Sequence, residues 1–522
     1  MKNTAFAFIA CLVAGSHLSA QSQERPNILF LFSDDHAVNS ISAYGSALGA
    51  VAPTPHIDRL AKEGALFENS FCANSICGPS RASILTGKHS HKNGFLRNTR
   101  TEFDSSQWTI AKALQEAGYN TSVIGKWHLK TNPVGFDHWE ILPGQGSYYN
   151  PDFIQMDGTT KRFPGYATDV TTDKAIQWLE GRNKDKPFFL MCQHKAPHRT
   201  FAPALRHLDD FEEVEIPEPG TLFDDYANRS GTLATNEMEL DRHFHWSYDV
   251  KLRKDEREGI DLPGPDRYGS LEYSRMTPEQ QKVWDAHFGP RNQKFLADFQ
   301  AGKLSDKDVV SWKYRRYMRN YLGTVKAVDE SVGRMLKYLE DNGLVENTIV
   351  IYSSDQGFYL GEHGWYDKRW MFEESFKMPF LIRWPEVVKP GSRPKEMIQN
   401  IDYAPTFLEV AGLETPKEVQ GNSIVPLLKG NAKGWRKSLY YAYYELGEHN
   451  VPQHFGVRTD THKLFYIPST QEWQMFDLVK DPEEMVNVYE RAEYASLRVS
   501  LTNEYDRLRE KYEAPTYEEY AK

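Results

Sequence analysis

The chain has 522 residues, with 62 basic side chains against 72 acidic ones and a net charge of −10. At roughly 150 residues per domain that is room for two to four domains and a buried active site. Gly and Pro, at 35 and 28, stand at ordinary globular levels, which argues against a collagen-like or low-complexity chain, and the acidic balance argues against a general nucleic-acid binder, because phosphate affinity needs a basic footprint.

The N-terminus carries Lys2, an apolar run over 5–14 and small residues ending at Ala20. That run is too short to span a bilayer but suits a signal-peptide core, so residues 1–20 are expected to be cleaved and the mature protein exported, periplasmic or secreted. A buried first helix and a lipoprotein site at Cys11 are the alternatives. No other apolar run is long enough for a transmembrane segment. Cleavage leaves Cys72, Cys77 and Cys192. These are too few for a disulfide framework, and an odd cysteine in an exported protein points to a chemical role.

Short continuous runs of Ile, Val, Leu and Phe over 27–32, 121–124, 187–192, 348–352 and 378–382 predict buried parallel strands. Helices are predicted over 54–67, 107–117, 171–179 and 312–339, with Gly118, Gly181 and Asn342-Gly343 closing the last three. Alternation of this kind implies a doubly wound α/β domain, over 21–420. Residues 204–311 lose periodicity and read as an insertion contributing loops rather than core. Short antiparallel strands over 438–444, 455–458, 463–466 and 474–477, then a helix over 490–511, predict a smaller α+β C-terminal domain over 421–522.

The chemistry gathers after the strands. Phe32 is followed by Ser33-Asp34-Asp35, Ile124 by Gly125-Lys126-Trp127-His128, Cys192 by Gln193-His194-Lys195-Ala196-Pro197-His198, and Tyr352 by Ser353-Ser354-Asp355-Gln356-Gly357. In an open parallel sheet these positions share the edge where ligands bind. A single Asp after a strand is as readily a turn or cap, but four such ends together describe one site. Asp34, Asp35, Asp355 and the Gln356 amide oxygen suit a hard divalent cation such as calcium or magnesium, which would relieve the repulsion of adjacent carboxylates. Cys77-Gly78-Pro79-Ser80-Arg81 reads as a turn opening a short helix, with Cys77 at its N-terminus, where an anion is favoured.

That motif, followed by Leu85-Thr86-Gly87, resembles the signature of formylglycine-dependent sulfatases in the alkaline-phosphatase superfamily. Asp34-Asp35, Gly125-Lys126-Trp127-His128-Leu129, Lys195-Ala196-Pro197-His198, Asp355-Gln356-Gly357 and Asp367-Lys368-Arg369 keep the family's order across nearly the whole mature chain. Gln356 stands where Asn or His is common, and Lys130 where Gly often is. The resemblance implies an alkaline-phosphatase-like fold: a large, mostly parallel sheet between helices, with a smaller α+β C-terminal domain. It implies that Cys77 is oxidised to formylglycine (3-oxoalanine), by a formylglycine-generating or anaerobic sulfatase-maturing enzyme. One calcium ion would be held by Asp34, Asp35, Asp355, Gln356 and residue 77. Arg81, Lys126 and Lys368 would neutralise the sulfate oxygens while hydrated formylglycine attacks sulfur; His198 would protonate the departing alcohol, and His128 would take the proton from the second hydroxyl so that sulfate leaves.

The block from Asp355 to Arg369 is similar to carbohydrate sulfatases, above all N-acetylglucosamine-6-sulfatases acting on glycosaminoglycans. An exo-acting enzyme on a terminal 6-O-sulfated N-acetylglucosamine is therefore expected. Glu362, His363 and Trp365 would bind sugar hydroxyls at the rim, with a structural loop as the alternative, and His243-Phe244-His245-Trp246 is a lid or a packed loop. The alternatives are a sulfatase of another glycan or of aryl sulfates, a phosphonate monoester or phosphodiester hydrolase, and a glycan-binding protein whose Cys77 stays unconverted.

Overall fold

The computed structural model describes residues 25–99 and 101–520, so the expected signal segment 1–20 and Cys11 lie outside the described residues. Its centre is a nine-stranded sheet. In chain order the strands are β1 (Asn27–Asp34), β2 (Ala65–Leu66), β3 (Asn120–Lys126), β4 (His138–Leu142), β5 (Asp152–Gln155), β6 (Thr160–Arg162), β7 (Phe188–Pro197), β8 (Thr348–Ser354) and β9 (Phe380–Arg383). They lie side by side as β2-β9-β8-β1-β7-β3-β4-β5-β6. The middle five, β8 to β4, are mutually parallel, with Phe30 of β1 between Met191 and Ile351.

The run 378–382 departs from expectation, because β9 is antiparallel to β8. The chain between them folds into site loops, and its helix Glu373–Phe376 is a single turn. That is too short for the crossover a parallel return needs. The first predicted helix also ends early: α1 (Pro55–Glu63) opens on Pro55 and buries Ile57 and Leu60, but stops at Gly64. A Cβ there would lie 2.0 Å from the Ile382 carbonyl oxygen, so only glycine lets the chain pass into β2.

Both faces of the sheet are covered, which is why its strands read as continuous apolar runs. Ile28, Phe30 and Phe32 point to the side that holds α2 (Cys77–Thr86) and α3 (Ile110–Glu116). Leu29 and Leu31 point to the other, with α1, α4 (Ala167–Gly181) and the later 36-residue helix Asp306–Asp341.

The insertion is not merely loops. It carries α5 (Pro278–Gln300), started by Thr277 and Gln280 in a reciprocal capping box, and leads into α6 (Asp306–Asp341), capped likewise by Ser305 and Asp308. Phe244, Trp246, Leu252 and Phe295 are buried with Tyr317 and Tyr321 of α6 in a core of their own. Residues too sparse for a periodic signal thus pack as scattered aromatic anchors.

At the C-terminus β10 (Ser438–Tyr443), β11 (His454–Thr459), β12 (His462–Ile467) and β13 (Glu472–Asp477) form an antiparallel sheet. Leu439, Tyr441 and Tyr443 face the main core, while Tyr440, Ala442 and Tyr444 face α7 (Ala495–Lys511). Alternation along one strand therefore fastens the small sheet to the large domain. Among the described residues no helix is long and apolar enough to cross a membrane.

Candidate active site

The carboxyl ends of the parallel strands meet as the spacing predicts. Asp34 ends β1, Lys126 ends β3, His198 follows β7 and Asp355 follows β8. Gly125, at φ 107°, makes the bend before Lys126; a Cβ there would lie 1.9 Å from the Gln193 carbonyl oxygen. Asp35, at φ 65°, turns back so that its N–H donates to Asp355 Oδ1 at 3.0 Å. Holding a non-glycine residue in this region costs about 1–3 kcal/mol, a strain that clusters at functional sites.

Asp34, Asp35 and Asp355 are fully buried, and one oxygen from each lies within 4.8 Å of the others. Three cations face them. Lys126 pairs with Asp34, Lys368 straddles Asp35 at 2.7 and 2.8 Å, and Arg81 holds Asp355 through Nε at 3.1 Å and Nη2 at 3.0 Å. Burial pushes Asp35 up to about 8, against the pull of Lys368 and with the help of Asp34. Asp355 is pushed up to about 6 by burial and by Asp34. At Asp34 burial acts the same way, but Lys126, His198 and Arg81 overcome it and hold the carboxylate well below its usual range. So crowded a set suits a divalent cation. Among the described residues Asp34 Oδ1 and Gln356 Oε1 are buried without a hydrogen-bond partner, while Gln356 Nε2 donates to Asp35. The all-oxygen donor set fits a hard cation.

Cys77, first residue of α2, brings Sγ within 4.8 Å of ligand atoms on Asp34 and His198. Its position at a helix N-terminus does not make the unconverted side chain a thiolate. Burial pushes the thiol well above its usual range, and Lys368 and Lys126 do not offset it. His128 and His198 share a cavity with Cys77. Burial, then Lys126, lowers both imidazoles well below the ordinary histidine range, so both are neutral. His198 Nδ1 donates to the Arg199 carbonyl at 2.5 Å, leaving Nε2 unprotonated 3.6 Å from Asp35.

The cavity holds about 910 Å³. Besides Cys77 and the two histidines, its walls include Asp367, Lys368 and Arg369, His243 and His245 of the insertion, and Glu448 and His449 of the C-terminal segment. Arg369 pairs with Glu448 at 2.9 Å and His449 with Asp367 at 3.0 Å. The loops from two parts of the chain thus lock together at the wall.

Three predicted rim residues are not there. Gly361, at φ 96°, starts a turn that drives the next residues inward. The Glu362 carboxylate accepts from Asn39 Nδ2 at 2.8 Å and from the Leu360 N–H at 2.6 Å. His363 is buried 3.2 Å from Asp224, and Trp365 is buried against Tyr226, to whose hydroxyl its Nε1–H donates at 2.8 Å. The chain reaches the cavity only at Tyr366 and the residues after it. Arg81 also differs from expectation. Besides Asp355, its guanidinium donates to the Lys126 carbonyl at 2.7 Å and Gln193 Oε1 at 2.9 Å, and Asp34 lies 3.5 Å away. Four of its five N–H groups are thus engaged by the protein and the fifth faces Asp34, an arrangement that orients carboxylates. Gln193 was signalled by its place after Cys192; Gln145, 2.5 Å from Lys126 Nζ, and His449 carried no local signal.

The sulfatase family profile matches residues 26–413, and the profile "N-sulphoglucosamine sulphohydrolase, C-terminal" matches residues 361–511. An N-acetylglucosamine-6-O-sulfatase of Bacteroides thetaiotaomicron is 47% identical, over 94% of this chain and 88% of its own. A solved structure in complex with its substrate D-glucosamine-2-N,6-O-disulfate superposes with TM-score 0.88 and 45% identity, over 94% of this chain and 98% of the other. A phosphonate monoester hydrolase of Agrobacterium radiobacter shares the fold, with TM-score 0.69 and 20% identity over 94% of this chain and 96% of its own.

Proposed function

The chain belongs to the sulfatase family and is a sulfuric ester hydrolase, and from that premise we propose that it is an exported, exo-acting enzyme removing the 6-O-sulfate from terminal N-acetylglucosamine of glycosaminoglycan oligosaccharides. The observation that carries the reading is the meeting of Cys77, Asp34 and His198 at the cavity, backed by three buried carboxylates and three cations. The substrate class is supported by the relative's name and by the bound disulfate of the second neighbour. Export is supported by the signal-like pattern of residues 1–20.

In this reading Asp34, Asp35, Asp355 and Gln356 hold one calcium ion beside residue 77, which carries formylglycine. When present, these groups supply Lewis-acid stabilisation of sulfate oxygens and a nucleophilic hydroxyl that a buried neutral thiol does not. Lys368, on the cavity wall, faces the sulfate, and Lys126 fixes Asp34 from behind. Arg81 keeps Asp355 in register. Burial and Lys126 hold His198 neutral, but an arriving sulfate ester adds negative charge beside it and favours protonation at Nε2. That proton then goes to the departing sugar oxygen. His128, neutral with its Nδ1 unpartnered, accepts a proton in the second half of the reaction. The ion-paired Asp367, Arg369, Glu448 and His449 form a wall able to fix ring hydroxyls.

The test is a panel of mono- and disaccharides sulfated at positions 2, 3, 4 or 6 on gluco and galacto rings, with a phosphate ester as control. Fastest turnover of the 6-O-sulfated N-acetylglucosamine is expected. Faster phosphate hydrolysis, or preference for a galacto ring, would reject the substrate assignment. Mass spectrometry of the peptide bearing residue 77 checks the conversion, and the N-terminus of the secreted protein checks export.

A further inference from the structure

The cavity, at about 910 Å³, lies near the upper end of the roughly 300–1,000 Å³ usual for ligand pockets, more than one sugar ring fills. The part of its wall built by the insertion has chemistry that the hydrolysis does not use. Phe244 and Trp246 enter the insertion's core, while the alternating His243 and His245 line the cavity. His245 Nδ1 accepts the Arg267 backbone N–H at 3.2 Å, so the proton of the neutral ring sits on Nε2, which has no hydrogen-bond partner among the described residues. Arg267 is exposed on the same wall and forms no ion pair among the described residues. Its neighbours differ: Arg242 pairs with Glu239, Arg253 with Asp285 and Arg257 with Asp266. Tyr268 is 50% exposed, yet backed by His245 at 4.8 Å and Tyr248 at 5.3 Å between ring centroids.

We infer that Arg267, Tyr268 and His245 form a second subsite, which binds the sugar next to the terminal one and recognises a carboxylate on it. This rests on the exo-sulfatase reading of the Cys77 site. A backed tyrosine offers an ordered apolar face to a sugar ring. The guanidinium fork matches a planar carboxylate, and the imidazole Nε2–H adds a third donor. A chain of net charge −10 repels acidic oligosaccharides in general, so an unpaired cation at the mouth is where attraction must come from.

The experiment uses the mature enzyme, with residue 77 converted and calcium present. Its four substrates are 6-O-sulfated N-acetylglucosamine alone, the same sugar linked to a glucuronate, the same sugar linked to a neutral hexose, and glucosamine sulfated on both nitrogen and O6. Arg267→Gln should lower the ratio of kcat/KM for the acidic to the neutral disaccharide about ten-fold, carried by KM. Tyr268→Ala should lower both disaccharides relative to the monosaccharide several-fold. An unchanged ratio in Arg267→Gln, with normal wild-type turnover, overturns the subsite while leaving the sulfatase reading intact. A loss confined to the doubly sulfated monosaccharide assigns the cation to the first ring and also overturns it. No wild-type turnover of any of the four overturns the substrate reading and the subsite with it.

Discussion

Replacing Arg81 with methionine keeps the length and apolar stem of the side chain and removes its guanidinium, which is 3% exposed. The Lys126 carbonyl and Gln193 Oε1 lose their donor, at about 1–3 kcal/mol each. Asp355 loses the guanidinium whose Nε and Nη2 both donate to its Oδ2, and an unpaired buried carboxylate costs about 3–5 kcal/mol. These losses do not add in full, because Asp355 already sits at about 6 and takes up a proton near neutral pH once Arg81 is gone. We expect about 4 kcal/mol of lost stability in chelator-treated protein. About 2.7 kcal/mol returns at calcium a hundred times its Kd, since the ion binds only the folded state. Arg81→Lys restores the charge but not the fork, and should lie between. The assay is denaturant unfolding followed by tryptophan fluorescence, with and without calcium, beside calcium titration and turnover on one sulfated sugar. Positioning predicts that calcium affinity and kcat fall together while KM stays within about two-fold. A variant that binds calcium like the wild type but raises KM would refute this, and return Arg81 to the sulfate.

Cys77→Ser should cut turnover by about a thousand-fold or more while leaving calcium binding and the unfolding midpoint near wild type, because a serine hydroxyl, smaller than the buried thiol, fits its space but offers no second hydroxyl; residual activity above a tenth would exclude the nucleophile assignment. Glu362→Ala should cost about 1–3 kcal/mol of stability through the orphaned Asn39 and Leu360 donors without changing substrate preference, which a melting curve and the sugar panel check together. His363 is raised to about 9 because, against burial and the nearby Arg229, Asp224 and Glu374 favour its charged form. Its stabilisation, about 3 kcal/mol, is therefore complete below pH 6.5 and lost as pH rises through 9, and a His363→Gln variant should flatten that alkaline limb of the stability profile.

The parallel core was legible because burial on both faces leaves uninterrupted apolar runs, and Ile28 to Phe32 alternate between two helix layers without one polar residue. Its direction was less legible. The run at β9 has the same composition as a parallel strand, and only the lack of a crossover helix between Asp355 and Phe380 turns it over. The insertion hid its core for a different reason. Trp246 and Phe295 meet at 5.7 Å although far apart in sequence, and no window shorter than that separation holds the pattern.

At the site, carboxylates and cations were legible because each is fixed locally, by the end of a strand or the start of a helix. The rim was not, because a single left-handed turn decides it. With Gly361 at φ 96° and His363 at φ 56°, Glu362 and Trp365 face inward, and Asp367 and Arg369 take the wall instead. Those two are then held by His449 and Glu448, from a domain whose arrival no motif announces. With a bound cation keeping Asp35 and Asp355 ionised against the burial that raises them, Asp34, Asp35 and Asp355 balance Arg81, Lys126 and Lys368 three against three. A balanced set has little net pull on an anion. It is the two charges of a divalent cation, held where Asp34 Oδ1 and Gln356 Oε1 have no hydrogen-bond donor among the described residues, that would turn a neutral constellation into one that draws a sulfate ester toward Cys77.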